Sequence, residues 1–189
     1  MARIIGIAGS LRRTSLNAAL LRAAAELAPP GTEVEIASLA GIPLYDGDLE
    51  NERGIPDAVT ALKNRIAAAE GLLIVTPEYN GSMPGVLKNA LDWLSRPPKD
   101  IARVFGDKPV AIIGATPGGS GTRLAQAAWL PVLRTLGTRA WFGKQLYVAG
   151  AAQAFDADGR LVDEKIKKLL TELMSGFATF VERSEAPRP

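Results

Sequence analysis

Five apolar runs alternate with stripes of helical period along this chain, and that alternation confines it to one broad architecture. The runs cover residues 4–8, 34–37, 72–76 and 110–115, with a fifth near 145–148. Most are rich in Ile and Val at consecutive positions, as strands buried on both faces are. Between them Ile55, Val59, Leu62, Ile66 and Ala69 fall at spacings of 4, 3, 4 and 3, one stripe of a helix. Leu16, Leu20, Ala23, Ala24 and Leu27 make another stripe, and Val86, Leu87, Ala90, Leu91 and Leu94 a third. A fourth runs through Leu124, Ala128, Leu133 and Leu136, where Pro131 should bend the helix. Ile166, Leu169, Leu170, Leu173, Phe177 and Phe180 close the series. Five strands and five helices in strict order predict a doubly wound α/β sheet with parallel strands. The segment 41–56, broken by Pro43, Gly47 and Gly54, is expected to be loop.

The 189 residues suit one domain, expected over 1–183, with 184–189 a disordered tail. Cysteine and histidine are both absent. Their absence removes disulfides, thiolate nucleophiles, Ser-His-Asp triads and His- or Cys-based metal sites. A net charge of +2 without a basic block makes nucleic acid an unexpected partner. No apolar run is long enough to cross a bilayer, and the chain enters a strand pattern at once. Neither a membrane span nor a leader is therefore expected, and the cytoplasm is the expected location.

In an open α/β sheet the ligand lies beyond the carboxyl ends of the strands. The loops after runs one, three and four should converge there. The first, GSLRRTSLN at residues 9–17, joins a strand to a helix whose opening N–H groups lack partners and carry partial positive charge. Ser10, Thr14 and Ser15 add hydroxyls, Asn17 an amide, and Arg12 or Arg13 a full charge. That set suits a monophosphate. Neither G-x-G-x-x-G nor G-x-x-x-x-G-K-[ST] is present, which disfavours an ordinary dinucleotide site and a nucleoside triphosphatase. A ligand-free Ser-rich helix start has the same composition, so this loop alone decides little.

The second loop, residues 77–82, reads PEYNGS. Its turn is expected to present successive N–H groups of Tyr79, Asn80 and Gly81 to a planar heterocycle, with Tyr79 offering an aromatic face. The third, residues 116–122, holds Gly118, Gly119 and Gly121, which let backbone approach a flat ring. Arg123 is expected to face solvent or an interface.

With these residues in view, the chain resembles the NAD(P)H-dependent FMN reductases, a group that includes chromate, quinone and azo reductases. GSLRRTSLN, the long TPEYNGSMPGVLKNALDWLSRP and the glycine-rich loop carry the likeness, which extends over residues 3–181. It implies a flavodoxin-like five-stranded parallel sheet of order 2-1-3-4-5 with helices on both faces. It implies FMN, with Ser10, Arg12, Ser15, Leu16 and Asn17 around the phosphate and Pro77, Glu78, Tyr79, Asn80 and Gly81 along the ring. Thr116, Pro117, Gly118 and Gly119 would close the other side. NADPH or NADH would donate hydride, and a small-molecule acceptor such as a flavin, quinone, azo compound, chromate or ferric chelate would receive electrons. The resemblance also implies homodimers or homotetramers, with Leu87, Leu91, Trp93 and Leu94 at the contact.

Hydride delivery requires no acid or base, so no catalytic side chain and no metal are expected. Glu78 should turn away from a ring that gains negative charge. Gly81 stands where many relatives carry a bulkier residue, which bears on the acceptor rather than on the flavin. The alternatives are a flavodoxin-type electron carrier and a flavin-responsive partner-binding protein. A phosphoacceptor domain would need acids where Gly9, Ser10, Thr76 and Pro77 stand.

Overall fold

The computed structural model describes residues 2–185. Five positions of one parallel sheet are filled by Ala2–Ala8 (β1), Thr32–Ala37 (β2), Gly71–Val75 (β3), Pro109–Ala115 (β4) and a fifth strand in two pieces. The order is β2-β1-β3-β4-β5. This is the flavodoxin-like order expected, and it places the strand-order reversal between β1 and β3.

Successive residues of the central strands point to opposite faces, so each face carries its own core. On one face Ile4, Leu73, Val75, Ala111 and Ile113 meet Leu16–Glu26 (α1) and Glu164–Glu185 (α7) through Leu20, Leu21, Leu173 and Phe177. On the other, Ile5, Ile7, Leu72, Ile74 and Val110 pack against three helices, Asp57–Ala68 (α3), Gly85–Leu94 (α4) and Arg123–Thr135 (α6). Gly6 lets α1 lie close, because a Cβ there would stand 2.4 Å from Leu21 Cδ1.

Four expectations need correction. The fifth strand is not continuous. Arg139–Ala140 (β5) pairs with the start of β4, while Tyr147–Val148 (β6) pairs with its end. Both use the same edge of β4, since Lys108 and Val110 accept from Arg139 and Trp141, and Thr116 donates to Val148. Between them the chain leaves the ladder as the Trp141 ring packs against Phe177, 5.7 Å away, and over Gly176 of α7.

The segment expected to be loop at 41–56 contains Gly47–Arg53 (α2), and a further helix, Ile101–Phe105 (α5), precedes β4. Asp46 caps α2 by accepting from the Asp48 N–H, and Gly54 ends it at a φ of 76°. No residue of α2 is buried, so it has no apolar stripe for a periodicity to detect.

Leu87, Leu91, Trp93 and Leu94 are core, not interface, each at most 1% exposed. The Trp93 indole N–H donates to the Pro43 carbonyl, and the ring meets Tyr45 edge-on. Last, α7 runs to Glu185, so residues 184 and 185 of the expected tail are helical; 186–189 lie outside the described residues.

Candidate cofactor site

The three loops do converge. A groove of about 470 Å³ at the carboxyl edge of the sheet is lined by Ser10, Arg12, Thr14, Ser15, Leu16, Asn17, Pro77, Glu78, Tyr79, Ala115, Thr116 and Pro117. Its size lies within the range of small-molecule sites. Gly9 lets the first two loops meet, since a Cβ there would stand 2.9 Å from both Leu87 Cδ2 and Pro77 Cδ. Of the fourteen expected site residues, Asn80, Gly81, Gly118 and Gly119 lie outside this lining. Thr14 and Ala115 line it without being among the fourteen. Thr14 was visible as a hydroxyl in the motif; Ala115 carries no chemical signal in the sequence.

At the start of α1, Ser15 is the N-cap and its Oγ accepts from the Ala18 N–H at 3.1 Å. Its hydroxyl proton stays available to a ligand. The N–H groups of Leu16 and Asn17 belong to the first turn and have no intrahelical acceptor. Arg12, Arg13 and Thr14 are exposed around them.

Asn17 departs from its expected role. Its side chain is buried and makes two hydrogen bonds of 2.9 Å to Ala115, donating through Nδ2 to the carbonyl and accepting through Oδ1 from the N–H. β3 ends at Val75, which pairs with Ile113, and Ala115 is the next residue facing that edge. The Asn17 amide therefore replaces the missing strand neighbour. One donor and one acceptor of the amide are committed to the backbone, which leaves the second Nδ2 proton, the second Oδ1 lone pair and the Asn17 N–H for a ligand.

The second loop also differs from expectation. Tyr79 N–H donates to the Ser82 carbonyl and Ser82 N–H to the Tyr79 carbonyl, both at 3.0 Å. Asn80 and Gly81 sit between them with φ of 52° and 70°, the two positive values of a type I′ turn. Asn-Gly is the sequence that turn prefers. Tyr79 N–H is thus consumed within the hairpin, and only Asn80 and Gly81 keep main-chain donors facing out. The Tyr79 ring is 48% exposed beside the groove. The Glu78 carboxylate is directed at α6, accepting from the N–H groups of Leu124 and Ala125.

The third loop is tied by three main-chain bonds to the end of β6 and the turn that follows it. Thr116 donates to Val148, Ala151 to Thr116 and Gly150 to Gly118. Gly118 and Gly119 have no positive φ, and no atom lies within 3.8 Å of a Cβ built at Gly118 or within 4 Å of one at Gly119. Neither conformation nor packing within this chain demands glycine at these two positions. Open space beside an unencumbered backbone remains as the use. Arg123 is exposed, its guanidinium 5.2 Å from the Tyr147 ring centroid.

Comparison with known proteins shows the family and the fold. Residues 2–153 match the family model described as NADPH-dependent FMN reductase. An NAD(P)H-dependent FMN reductase of Pseudomonas aeruginosa is 43% identical over 181 residues, with 96% of each chain covered. A 2-hydroxy-1,4-benzoquinone reductase of Burkholderia sp is 42% identical, covering 95% of this chain and 96% of that one. Among solved structures, FerB, a flavoenzyme NAD(P)H:(acceptor) oxidoreductase of Paracoccus denitrificans, superposes with a TM-score of 0.86. It is 35% identical, with 97% of this chain and 99% of that one covered.

Proposed function

This chain belongs to the NADPH-dependent FMN reductase family, and from that premise we propose that the three-loop groove holds FMN and serves the reduction of quinone-type acceptors. The protein is an NAD(P)H-dependent FMN oxidoreductase. Membership in a reductase family favours turnover over the electron-carrier alternative.

The residues present fit the cofactor. A phosphate suits the start of α1, where the Leu16 and Asn17 N–H groups, the Ser15 hydroxyl and the Arg12 guanidinium face one volume. Arg12 has no carboxylate partner among the described residues, so its charge is free for an anion. A flat ring suits the space between the Pro77–Tyr79 wall and Thr116 and Pro117, with Gly118 and Gly119 following them in sequence outside the lining. Asn80 and Gly81 lie outside the lining, and their free N–H groups would meet developing charge only at its Tyr79 end. Bound there, FMN supplies a ring that accepts hydride from the nicotinamide and returns electrons to the acceptor. The chain need only bind, orient and neutralise, which its lack of His and Cys allows.

One observation carries the assignment. Residues of all three loops line one groove, and the Asn17–Ala115 pair, 98 residues apart, fixes the start of α1 to the end of β4 within it. The quinone class is supported by the Burkholderia relative and by a quinone reductase of Escherichia coli, 36% identical over 184 residues. Self-association belongs to the same reading, and light scattering would test it.

The test is an anaerobic visible spectrum of the protein reconstituted with FMN, taken before and after NADPH and again after 1,4-benzoquinone. The expected result is a retained yellow band, bleached by NADPH and restored by the quinone. A protein that neither retains flavin nor oxidises NADPH with quinone present would overturn the assignment.

A further inference from the structure

The helix that follows the glycine loop begins without a cap of its own. Its N-cap, Thr122, is in the left-handed region at a φ of 67° and makes no side-chain capping bond. The Thr122 Oγ1 instead accepts from Gln126 Nε2 at 3.1 Å. The cap comes from the opposite wall of the groove. Glu78 Oε2 accepts from the N–H groups of Leu124 at 2.9 Å and Ala125 at 3.1 Å, across 46 and 47 residues of sequence. These are first-turn donors with partial positive charge, and a carboxylate is the group that satisfies them best. Glu78 has no Lys or Arg partner among the described residues, so the helix start is its only listener in charge.

The same residue lines the groove. Its backbone leads into a hairpin closed on itself by the Tyr79–Ser82 bonds. At its near end the glycine loop is held by Thr116 and Gly118; at its far end Glu78 holds it.

We propose that Glu78 is a positioning residue, a latch whose carboxylate caps α6 from across the groove and makes the two loops that flank the ring move as one body. The proposal rests on the groove being the FMN site. Unlatching leaves the glycine loop to sample arrangements that do not fit the cofactor, so the affinity falls by the fraction lost. Direct electrostatics has the opposite sign: removing a negative charge beside an anionic ligand would tighten binding.

The test pairs FMN titration of the apoprotein, followed by flavin fluorescence, with amide hydrogen exchange of the apoprotein. Glu78→Ala should weaken FMN binding about tenfold, the size of a lost cap, and speed exchange at Leu124 and Ala125. Glu78→Gln keeps an acceptor oxygen at the same reach and should stay within about threefold of the wild type. Glu78→Asp keeps the charge but withdraws it by one methylene, so it should behave as Glu78→Ala does and serves if the alanine variant does not fold. Unchanged or tighter FMN binding in the alanine and aspartate variants, or unchanged exchange at Leu124 and Ala125, overturns the latch. Ser15→Ala acts on the opposite end of the groove and separates the two readings. Unchanged affinity there overturns the groove assignment, whereas a loss there beside unchanged affinity in Glu78→Ala overturns the latch alone.

Discussion

The loops after β1 and β3 reach the same groove but use their main-chain donors in opposite ways. The first runs into a helix, which by its geometry cannot use its opening N–H groups, so those of Leu16 and Asn17 remain for a ligand. The second curls into a hairpin and spends the Tyr79 N–H on Ser82. Their side chains, in contrast, behave alike. Asn17 and Glu78, the most ligand-like polar groups of each loop, both reach across to brace the far side, one at Ala115 and the other at α6. Asn17 does so from a buried position and Glu78 from a partly exposed one, each meeting backbone groups that lack a partner in their own strand or helix. In the proposed site the ligand would meet main-chain N–H groups together with Ser15 and Arg12, while Asn17 and Glu78 hold the backbone in place.

Substitutions can break that division of labour, and the largest effect is expected at Gly114. A Cβ there would stand 2.2 Å from both the Thr76 carbonyl, at the root of the second loop, and Thr122 Oγ1, at the end of the third. Gly114→Ala should cost about 3 kcal/mol in urea unfolding, because backbone must move. A cost below about 1 kcal/mol would show that the two walls shift independently. Asn17→Ala comes next, at about 2–3 kcal/mol, since both polar groups of Ala115 lose their partner. If Asn17 were instead a ligand contact, FMN affinity would fall while the urea midpoint stayed put.

Ser15→Ala should cost about 1 kcal/mol as a lost N-cap and weaken FMN about tenfold by removing a donor. Its stability cost should therefore be clearly smaller than that of Asn17→Ala. Gly81→Ala should cost about 1 kcal/mol through its positive φ alone, because the nearest contact, Leu124 Cδ1 at 3.5 Å, is an ordinary one.

The smallest effect lies in the segment after β2, which leaves the same sheet edge and pairs the charge of Glu50 in α2 with Arg96, just beyond α4. Arg96 Nε donates to Glu50 at 2.8 Å, and the Tyr45 hydroxyl donates to the same carboxylate oxygen. The Arg96 hydrogen bond holds the Glu50 carboxyl below the usual carboxylate range. A lowered folded-state value means the pair's contribution is complete above the unfolded value of about 4.3 and is lost as pH falls through the folded value. Glu50→Gln should lower Tm slightly at neutral pH and by less near pH ~3, with FMN affinity unaltered at neutral pH. A Tm gap that does not narrow on acidification would show that the pair contributes packing, not charge.

Much of the fold was legible in the residues themselves. The four long strands and the five apolar-striped helices follow from periodicities that local geometry imposes, and the order of alternation leaves few topologies. Helix α2 escaped because only Leu49 packs partly against the core, too little for an apolar stripe, while Asp46 and Gly54 set its ends. The interrupted fifth strand escaped because Trp141 and Phe177, 36 residues apart, are brought together only by the packed α7. Trp93 looked like an interface anchor by type, yet its burial is decided by Pro43 and Tyr45 from another loop.

For the site, composition alone established which loops are chemical: hydroxyls and arginines at one helix start, Asn-Gly in one turn, and glycines in another. Residue type states what a group is able to donate or accept. Only the tertiary structure decides whether that capacity is already used, because the partners of Asn17 and Glu78 lie 98 and 46 residues away. A hydrogen bond depends on distance in space, and the sequence orders these residues without bringing them within 3 Å of each other.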